Sequence, residues 1–158
     1  MKKHTYRVAV RWTGADGTGT RSYTSYRRAY EISAPGKPAI EGSSDPAFRG
    51  DAARWNPEEL LVASLAACHE LWYLHLCAQA HVVVLAYADD AEGTMIEGDD
   101  GGGRFESVTL RPDVIIASDS SVEQALAAHE SAHAKCFIAN SVSFPVRCEP
   151  KVRLADAR

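Results

Sequence analysis

The stretch from Asn56 to Ala80 constrains this chain more than any other part of it. Asn56 can cap a helix, Pro57 suits the first helical position, and Glu58 and Glu59 favour the positive end of the helix dipole. Leu60, Ser64, Ala67, Leu71, Leu74 and Ala78 then recur at spacings of four and three residues. The pattern predicts one helix that ends near Ala80–His81. Because apolar residues fall on nearly every side of it, the helix is expected to be central and buried.

Such a helix must be packed by what flanks it. Upstream, Tyr6, Val8, Val10 and Trp12 alternate with Thr5, Arg7, Ala9 and Arg11, which predicts a half-buried strand. A turn over residues 14–19 leads to two more short strands, Thr20 to Tyr26 and roughly Ala29 to Ser33, giving a meander. Residues 34–55 read as a long loop rich in Gly, Pro and Ser, and loops of that length are often functional. Downstream, Val82 to Tyr87 is a strand that extends toward Met95 and Ile96, and residues 98–103 form a hairpin loop. Val108 to Ile116 is another strand, placed at an edge by Pro112. Ser120 and Glu123 form a capping-box pattern that opens a second helix, ending near Lys135. Alternation from Phe144 to Leu154 gives a last strand. The order is three strands, helix, two strands, helix, strand. No repeat or composition break divides it, so the expectation is one α+β domain over residues 1–158.

Composition narrows the function. With 46% hydrophobic and 24% charged residues, the chain has the profile of a folded soluble domain. A net charge of −4 argues against nucleic acid as the main partner. No run approaches the roughly 18 consecutive apolar residues of a membrane span, so no membrane association is expected. Met1-Lys2-Lys3 is followed by polar residues rather than an apolar core, so no secretion signal is expected and the reducing cytoplasm is the default compartment.

Four cysteines remain: Cys68, Cys77, Cys136 and Cys148. None forms a C-x-x-C pair, so zinc-ribbon and thioredoxin patterns are absent. Cys148 falls on the apolar face of the last strand and reads as a small core residue. Cys77 follows Cys68 by nine residues on the same helix, about 13 Å up the axis and on the opposite side, too far to bond with it. Cys77 also reads as core. Cys68 has Ala66 and Ala67 beside it, which admit a close neighbour, with His69 adjacent and Trp72 and His75 at i+4 and i+7. Cys136 falls at the end of the second helix, where the dipole disfavours a thiolate. That makes it a poor first nucleophile, though able to attack an oxidised partner. From the residues alone, Cys68 and Cys136 are either a reactive pair or two unrelated buried cysteines.

Two segments carry a family resemblance. Asn56-Pro57-Glu58-Glu59-Leu60-Leu61, followed by Cys68 after Ala66-Ala67, resembles the first motif of the OsmC/Ohr family, the osmotically inducible protein C and organic hydroperoxide resistance proteins. Ala132-His133-Ala134-Lys135-Cys136-Phe137-Ile138-Ala139-Asn140-Ser141 is similar to that family's second-cysteine motif, and the order of elements agrees. Members of the family are thiol-dependent peroxidases with an intertwined dimeric fold. The resemblance implies that Cys68 is the peroxidatic cysteine, Cys136 the resolving cysteine and Glu58 the motif glutamate. It also implies an arginine that holds the thiolate, best matched by Arg49, with Arg54 and Arg21 as alternatives. It implies organic hydroperoxides as substrates, no cofactor, and a dithiol reductant, typically a dihydrolipoyl protein. Phe137 stands where the hydroperoxide-resistance branch has proline, and His69 directly after Cys68 is unusual in that family.

The resemblance also bears on assembly. Glu58 and Cys68 are ten residues apart, about 15 Å along one helix and roughly 80° around it, beyond the reach of a carboxylate. The family places both in one site, and no Gly or Pro breaks the helix between Leu60 and Cys68. Glu58 is therefore expected from a second subunit, in a homodimer with two equivalent sites.

Other readings compete. His129-Glu130-Ser131-Ala132-His133 is a literal H-E-x-x-H on a helix, the pattern of a zinc hydrolase. No third histidine follows it, and both histidines continue the Val122/Leu126 stripe, which favours packing beside Cys136. A Cys68 hydrolase using His69 or His75 would place nucleophile and base on one helix without an acyl-transfer motif. A non-catalytic relative that binds a small apolar molecule or senses oxidants would use Trp55, Trp72, Tyr73 and Phe137 to line its pocket. Otherwise these four are core aromatics.

Overall fold

The predicted helix forms as α1, Pro57–Gln79, and both of its ends follow from local chemistry. At the start, Glu59 N–H donates to Asn56 Oδ1 at 2.7 Å and Asn56 N–H donates to Glu59 Oε2 at 3.2 Å, a reciprocal capping box. At the end, His81 takes the left-handed conformation with φ 57. Val82 N–H then bonds back to Cys77 O at 2.9 Å and His81 N–H to Ala78 O at 3.3 Å, a Schellman closure. Val82 and Cys77 join the same core cluster, the apolar contact that usually accompanies that closure.

The burial of α1 differs from expectation. Only Leu65, His69, Tyr73 and Cys77, four residues apart, are buried, while Leu71 is 68% exposed. An all-round apolar helix needs cover on every side, and within one chain it receives cover along a single stripe. Within its 23 residues an 18-residue window reaches a mean hydropathy of 1.4, enough in length and composition for a membrane span, although no uninterrupted apolar run announces it. The buried stripe is seated in protein.

The computed structural model describes residues 1–156, and the chain divides into two compact units between Leu60 and Leu61. In the first unit, Met1–Leu60, strands β1 (Ala9–Trp12), β2 (Tyr30–Ser33) and β3 (Ile40–Gly42) form an antiparallel meander in that order. Residues 20–26, expected as a strand, are instead turns. Hydroxyl groups compete there with sheet pairing: Thr18 Oγ1 donates to Ser25 O at 2.8 Å and Ser25 Oγ donates to Gly19 O at 2.8 Å. The expected half-buried first strand is also corrected, since all four residues of β1 are exposed.

The second unit, from Leu61 onward, holds the rest of α1, strands β4 (Val84–Asp89), β5 (Glu92–Glu97), β6 (Gly103–Leu110) and β7 (Pro112–Ile116), helix α2 (Val122–Lys135), and strands β8 (Val146–Cys148) and β9 (Lys151–Leu154). Two three-stranded sheets result, ordered β4-β7-β9 and β5-β6-β8. Each outer strand continues from one sheet into the other, as do the two centre strands, so all three lanes break at one level. Arg111 lies at the break. Its N–H donates to Asp89 Oδ1 at 2.7 Å, and its guanidinium approaches Glu92 at 3.7 Å and Glu149 at 3.6 Å. The single last strand expected from alternation is thus two, interrupted at Glu149-Pro150. Pro112 does not mark an edge: it is the first residue of the central strand β7, where no ladder bond from its nitrogen is required.

Helix α2 supplies the crossover that parallel pairing of β6 with β8 and of β7 with β9 demands. Its cap is Ser121 rather than Ser120. Ser121 Oγ accepts from Gln124 N–H at 3.2 Å, whereas Ser120 Oγ accepts from Val83 N–H at 3.0 Å. Ala125, Ala128 and Ala132 of α2 pack with Tyr73, Cys77, Val114 and Ile116 into one core cluster, and Leu65, Val108 and Leu110 form another.

Candidate active site

Cys68 lies half-buried at the start of the fourth turn of α1, and Cys136 is the residue that closes α2, 1% exposed. The two side chains are neighbours, near enough for Cys68 to act on the Cys136 proton, and both are free thiols. The turn after α2 is built around Cys136. Asn140 Nδ2 donates to Cys136 O at 2.9 Å and to Ala134 O at 3.1 Å, satisfying carbonyls that the helix end leaves open. Ala139 N–H donates to Cys136 Sγ at 3.4 Å. Burial pushes the Cys136 thiol up to about 11, with the neighbouring Cys68 adding to the rise and the Ala139 N–H opposing it. Burial, not the helix dipole, is therefore the first reason that Cys136 holds its proton.

Aromatic groups flank the pair. Trp72, one turn after Cys68, meets Phe137, the residue after Cys136, edge to face at 5.6 Å. His75 approaches the other edge of Trp72 at 5.8 Å, and Lys135 Nζ stands 5.8 Å from its centre. Phe137 is 69% exposed, so the mouth of this region is apolar and open to solvent. Tyr73, grouped with these residues in the sequence reading, points elsewhere: it is wholly buried and stacks on His129 at 3.8 Å.

The charged residues expected at the site belong to the first unit. Glu58 is half-buried, and its Oε2 has no hydrogen-bond partner among the described residues. Arg49 is left-handed, with φ 65, where it closes a short 3-10 turn over Pro46–Phe48. Its guanidinium lies 5.9 Å from the Tyr23 ring and lines a polar cavity of about 540 Å³ together with Arg27, Arg28 and Arg54. Among the described residues Arg49 makes no ion pair. Arg54, in contrast, is held by Glu41 at 3.3 Å and Asp51 at 3.7 Å.

A second cluster escaped the sequence reading. His69 Nε2 lies 3.0 Å from His129 Nδ1 and 3.5 Å from Cys148 Sγ, bringing α1, α2 and β8 together. Both histidines are buried. Burial lowers His69 to about 4 and His129 to about 3, so both rings are neutral at pH 7. Burial raises Cys148 to about 12, with Asp89 and Glu149 adding to the rise. Cys148 is thus a partner of His69 rather than only a core residue. His129 groups with His69 and Cys148, not with His133 as the H-E-x-x-H reading requires. Separations of 60 and 79 residues left no spacing signal for this trio. The one available hint was a histidine directly after Cys68, on what became the buried stripe.

Comparison with known proteins adds to this geometry. Residues 50–151 match the family model described as OsmC-like protein. The chain is similar to the structure of an OsmC-like protein of unknown function from Vibrio cholerae O1 biovar eltor. Identity is 31%, with 96% of this chain and 100% of that chain covered and a TM-score of 0.80. It is also similar to an organic hydroperoxide resistance protein from Elizabethkingia anophelis, at 19% identity, 98% and 100% coverage and a TM-score of 0.66. An organic hydroperoxide resistance protein of Bacillus subtilis aligns at 21% identity, 95% and 98% coverage and a TM-score of 0.63. At the two lower identities the likeness is one of fold. No curated protein sequence matches the chain.

Proposed function

The chain belongs to the OsmC-like family, and from that premise we propose that it is a thiol-dependent peroxidase that reduces organic hydroperoxides to alcohols. The observation that carries this reading is the meeting of the Cys68 and Cys136 thiols, brought from separate helices. The half-buried Cys68 is the attacking sulfur. Cys136, held near 11 by burial, keeps its proton at neutral pH and acts second.

The steps balance simply. The Cys68 thiolate attacks one peroxide oxygen, the O–O bond breaks, and the departing alkoxide takes a proton to become the alcohol. Cys68 is left as a sulfenic acid. The Cys136 thiol condenses with it, releasing water and forming the Cys68–Cys136 disulfide. A dithiol, such as a dihydrolipoyl protein, restores both thiols by exchange. A cytoplasmic location suits this cycle, because that compartment keeps thiols reduced. The aromatic mouth at Trp72 and Phe137 favours hydroperoxides with apolar substituents over hydrogen peroxide.

The attacking thiolate needs a cation, and an arginine supplies one that never loses its charge. We assign Arg49 to this role, since Arg54 is already paired. Glu58 orients it by a two-pronged contact. Both come from a second copy of the chain in a homodimer. The unbroken course of α1 through Glu58 and Cys68 supports this assignment, as does the exposed apolar surface of β1, where Val10 is 66% and Trp12 43% exposed.

Peroxide consumption with a dithiol tests the reading. Cys68→Ser should abolish turnover in a folded protein. Cys136→Ser should consume about one equivalent of hydroperoxide and then stall or over-oxidise. Turnover of Cys136→Ser at the parent rate would overturn its role. Co-expressed Cys68→Ser and Glu58→Ala chains should recover one intact site per heterodimer, and a fully active monomer would refute the shared site.

A further inference from the structure

We propose that His69, His129 and Cys148 bind one divalent cation of the zinc class, at a site separate from the Cys68–Cys136 pair. Geometry is the first argument. With metal–nitrogen bonds of about 2.0–2.1 Å and a metal–sulfur bond of about 2.3 Å, a tetrahedral ion spaces its nitrogen ligands about 3.4 Å apart and nitrogen from sulfur about 3.6 Å apart. The corresponding separations here are 3.0 Å for His69 Nε2 to His129 Nδ1 and 3.5 Å for His69 Nε2 to Cys148 Sγ. All three donor atoms lie within 4.8 Å of one another. The His69 edges need shifts of a few tenths of an ångström to seat an ion, and the His129 Nδ1 to Cys148 Sγ edge, within 4.8 Å, closes by up to about an ångström.

The rings are held for this task. The His69 and His129 planes lie 5° from parallel, and Tyr73 stacks on His129 at 3.8 Å. His69 is 0% exposed and His129 2% exposed, and among the described residues His69 Nδ1 and His129 Nε2 have no partner. These outer nitrogens are unpartnered with or without an ion; between the facing nitrogens of two neutral rings, a hydrogen bond requires one to donate and the other to accept. As ligands, both rings turn a lone pair on the facing nitrogen toward the cation, and neither has to act as the donor.

Charge supports the same assignment. Two neutral imidazoles provide the lone pairs. The Asp89 carboxylate acts on Cys148, and its Oδ2 is buried without a partner. A divalent ion displaces the Cys148 thiol proton to solvent and forms a metal–thiolate bond. The resulting thiolate and the Asp89 carboxylate together balance the ion's two charges, with no change of oxidation state. The donor set of two nitrogens and one sulfur selects a borderline-soft ion over magnesium or calcium, which require oxygen ligands. Three protein ligands leave the fourth position for water.

The test uses the full-length, reduced protein stripped with a chelator and titrated with Co²⁺ and Zn²⁺. One Co²⁺ per chain should bind with thiolate-to-metal absorption in the near ultraviolet and the visible bands of a tetrahedral ion. Zn²⁺ should displace it, raise Tm by several degrees, and protect Cys148 from alkylation mapped by mass spectrometry. The double variant Cys68→Ser, Cys136→Ser should keep the same spectrum, whatever becomes of its peroxidase activity. Cys148→Ser should lose the thiolate absorption and at least about ten-fold in affinity. Protection of Cys148 is read in the parent chain, so the test survives if that variant misfolds. Failure of the folded parent to take up Co²⁺ would overturn the proposal. So would an absorption that vanishes with Cys68 and Cys136 but persists without Cys148.

Discussion

Replacing Asn56 by alanine removes one acceptor and leaves the rest of α1 intact. Asn56 Oδ1 takes the Glu59 N–H at 2.7 Å, and Asn56 itself is 5% exposed. Water cannot readily replace the lost oxygen, so the Glu59 N–H loses its partner where solvent is scarce. Helix caps of this kind contribute about 0.5–2 kcal/mol, and the burial places Asn56→Ala in the upper half, about 1–2 kcal/mol. For a chain of this size each kcal/mol corresponds to roughly 2–4 °C, so Tm should fall by about 2–8 °C. Urea unfolding followed by circular dichroism should show a lower midpoint with an unchanged slope, because the surface exposed on unfolding is the same. Asn56→Asp supplies the control. It keeps the acceptor and adds negative charge at the helix N-terminus, so its stability should match or exceed the parent's. A loss below about 0.3 kcal/mol for Asn56→Ala would refute the reasoning. Equal losses for Ala and Asp would also refute it, since the hydrogen bond would then not be the cause.

Three further outcomes follow from the same geometry. Asp89 is raised above its ordinary 3.8, chiefly by burial. A raised carboxyl penalises the folded state fully above its folded value and not at all below about pH 3.8. Asp89→Asn should therefore stabilise the protein at pH 7, and the gap should close as pH falls; a gap that widens in acid would contradict this. His81 sits in the left-handed region, so His81→Gly should gain about 0.5–1 kcal/mol in urea unfolding once the entropy of glycine is deducted, and a net loss would be inconsistent with relieved strain. Phe137→Ala should raise KM for an aromatic hydroperoxide by about three- to ten-fold while leaving hydrogen peroxide reduction near the parent rate. Equal effects on both substrates would show that the Phe137 ring does not contact the organic group.

The sequence made α1 legible at both ends because its boundary chemistry is local: Asn56, Pro57 and Glu59 act within four residues. The end of α2 at Lys135 was legible for the same reason. Errors arose where a distant partner decides between local options. Ser120 and Ser121 are both competent caps, and only the Val83 N–H, reached across the fold, draws Ser120 away. Pro112 suggested an edge because nothing nearby reveals that β7 has neighbours on both sides. The Cys68–Cys136 pair was accessible through two motifs in the sequence. The trio of His69, His129 and Cys148 was not, because its residues come from three elements whose approach depends on the whole unit.

The parallel lanes at the C-terminus have a consequence for how the molecule is made. Strands β6 and β7 are each paired on one side by β5 and β4, whose segments leave the ribosome before them. Their other sides are filled only by Val146–Cys148 and Lys151–Leu154. Throughout translation of α2, two apolar central strands therefore present open hydrogen-bonding edges, the surface on which nascent chains stick to one another. Sheet closure awaits residues 146–154. A premature stop between α2 and Val146 would release a chain with both helices formed and both sheets unsealed.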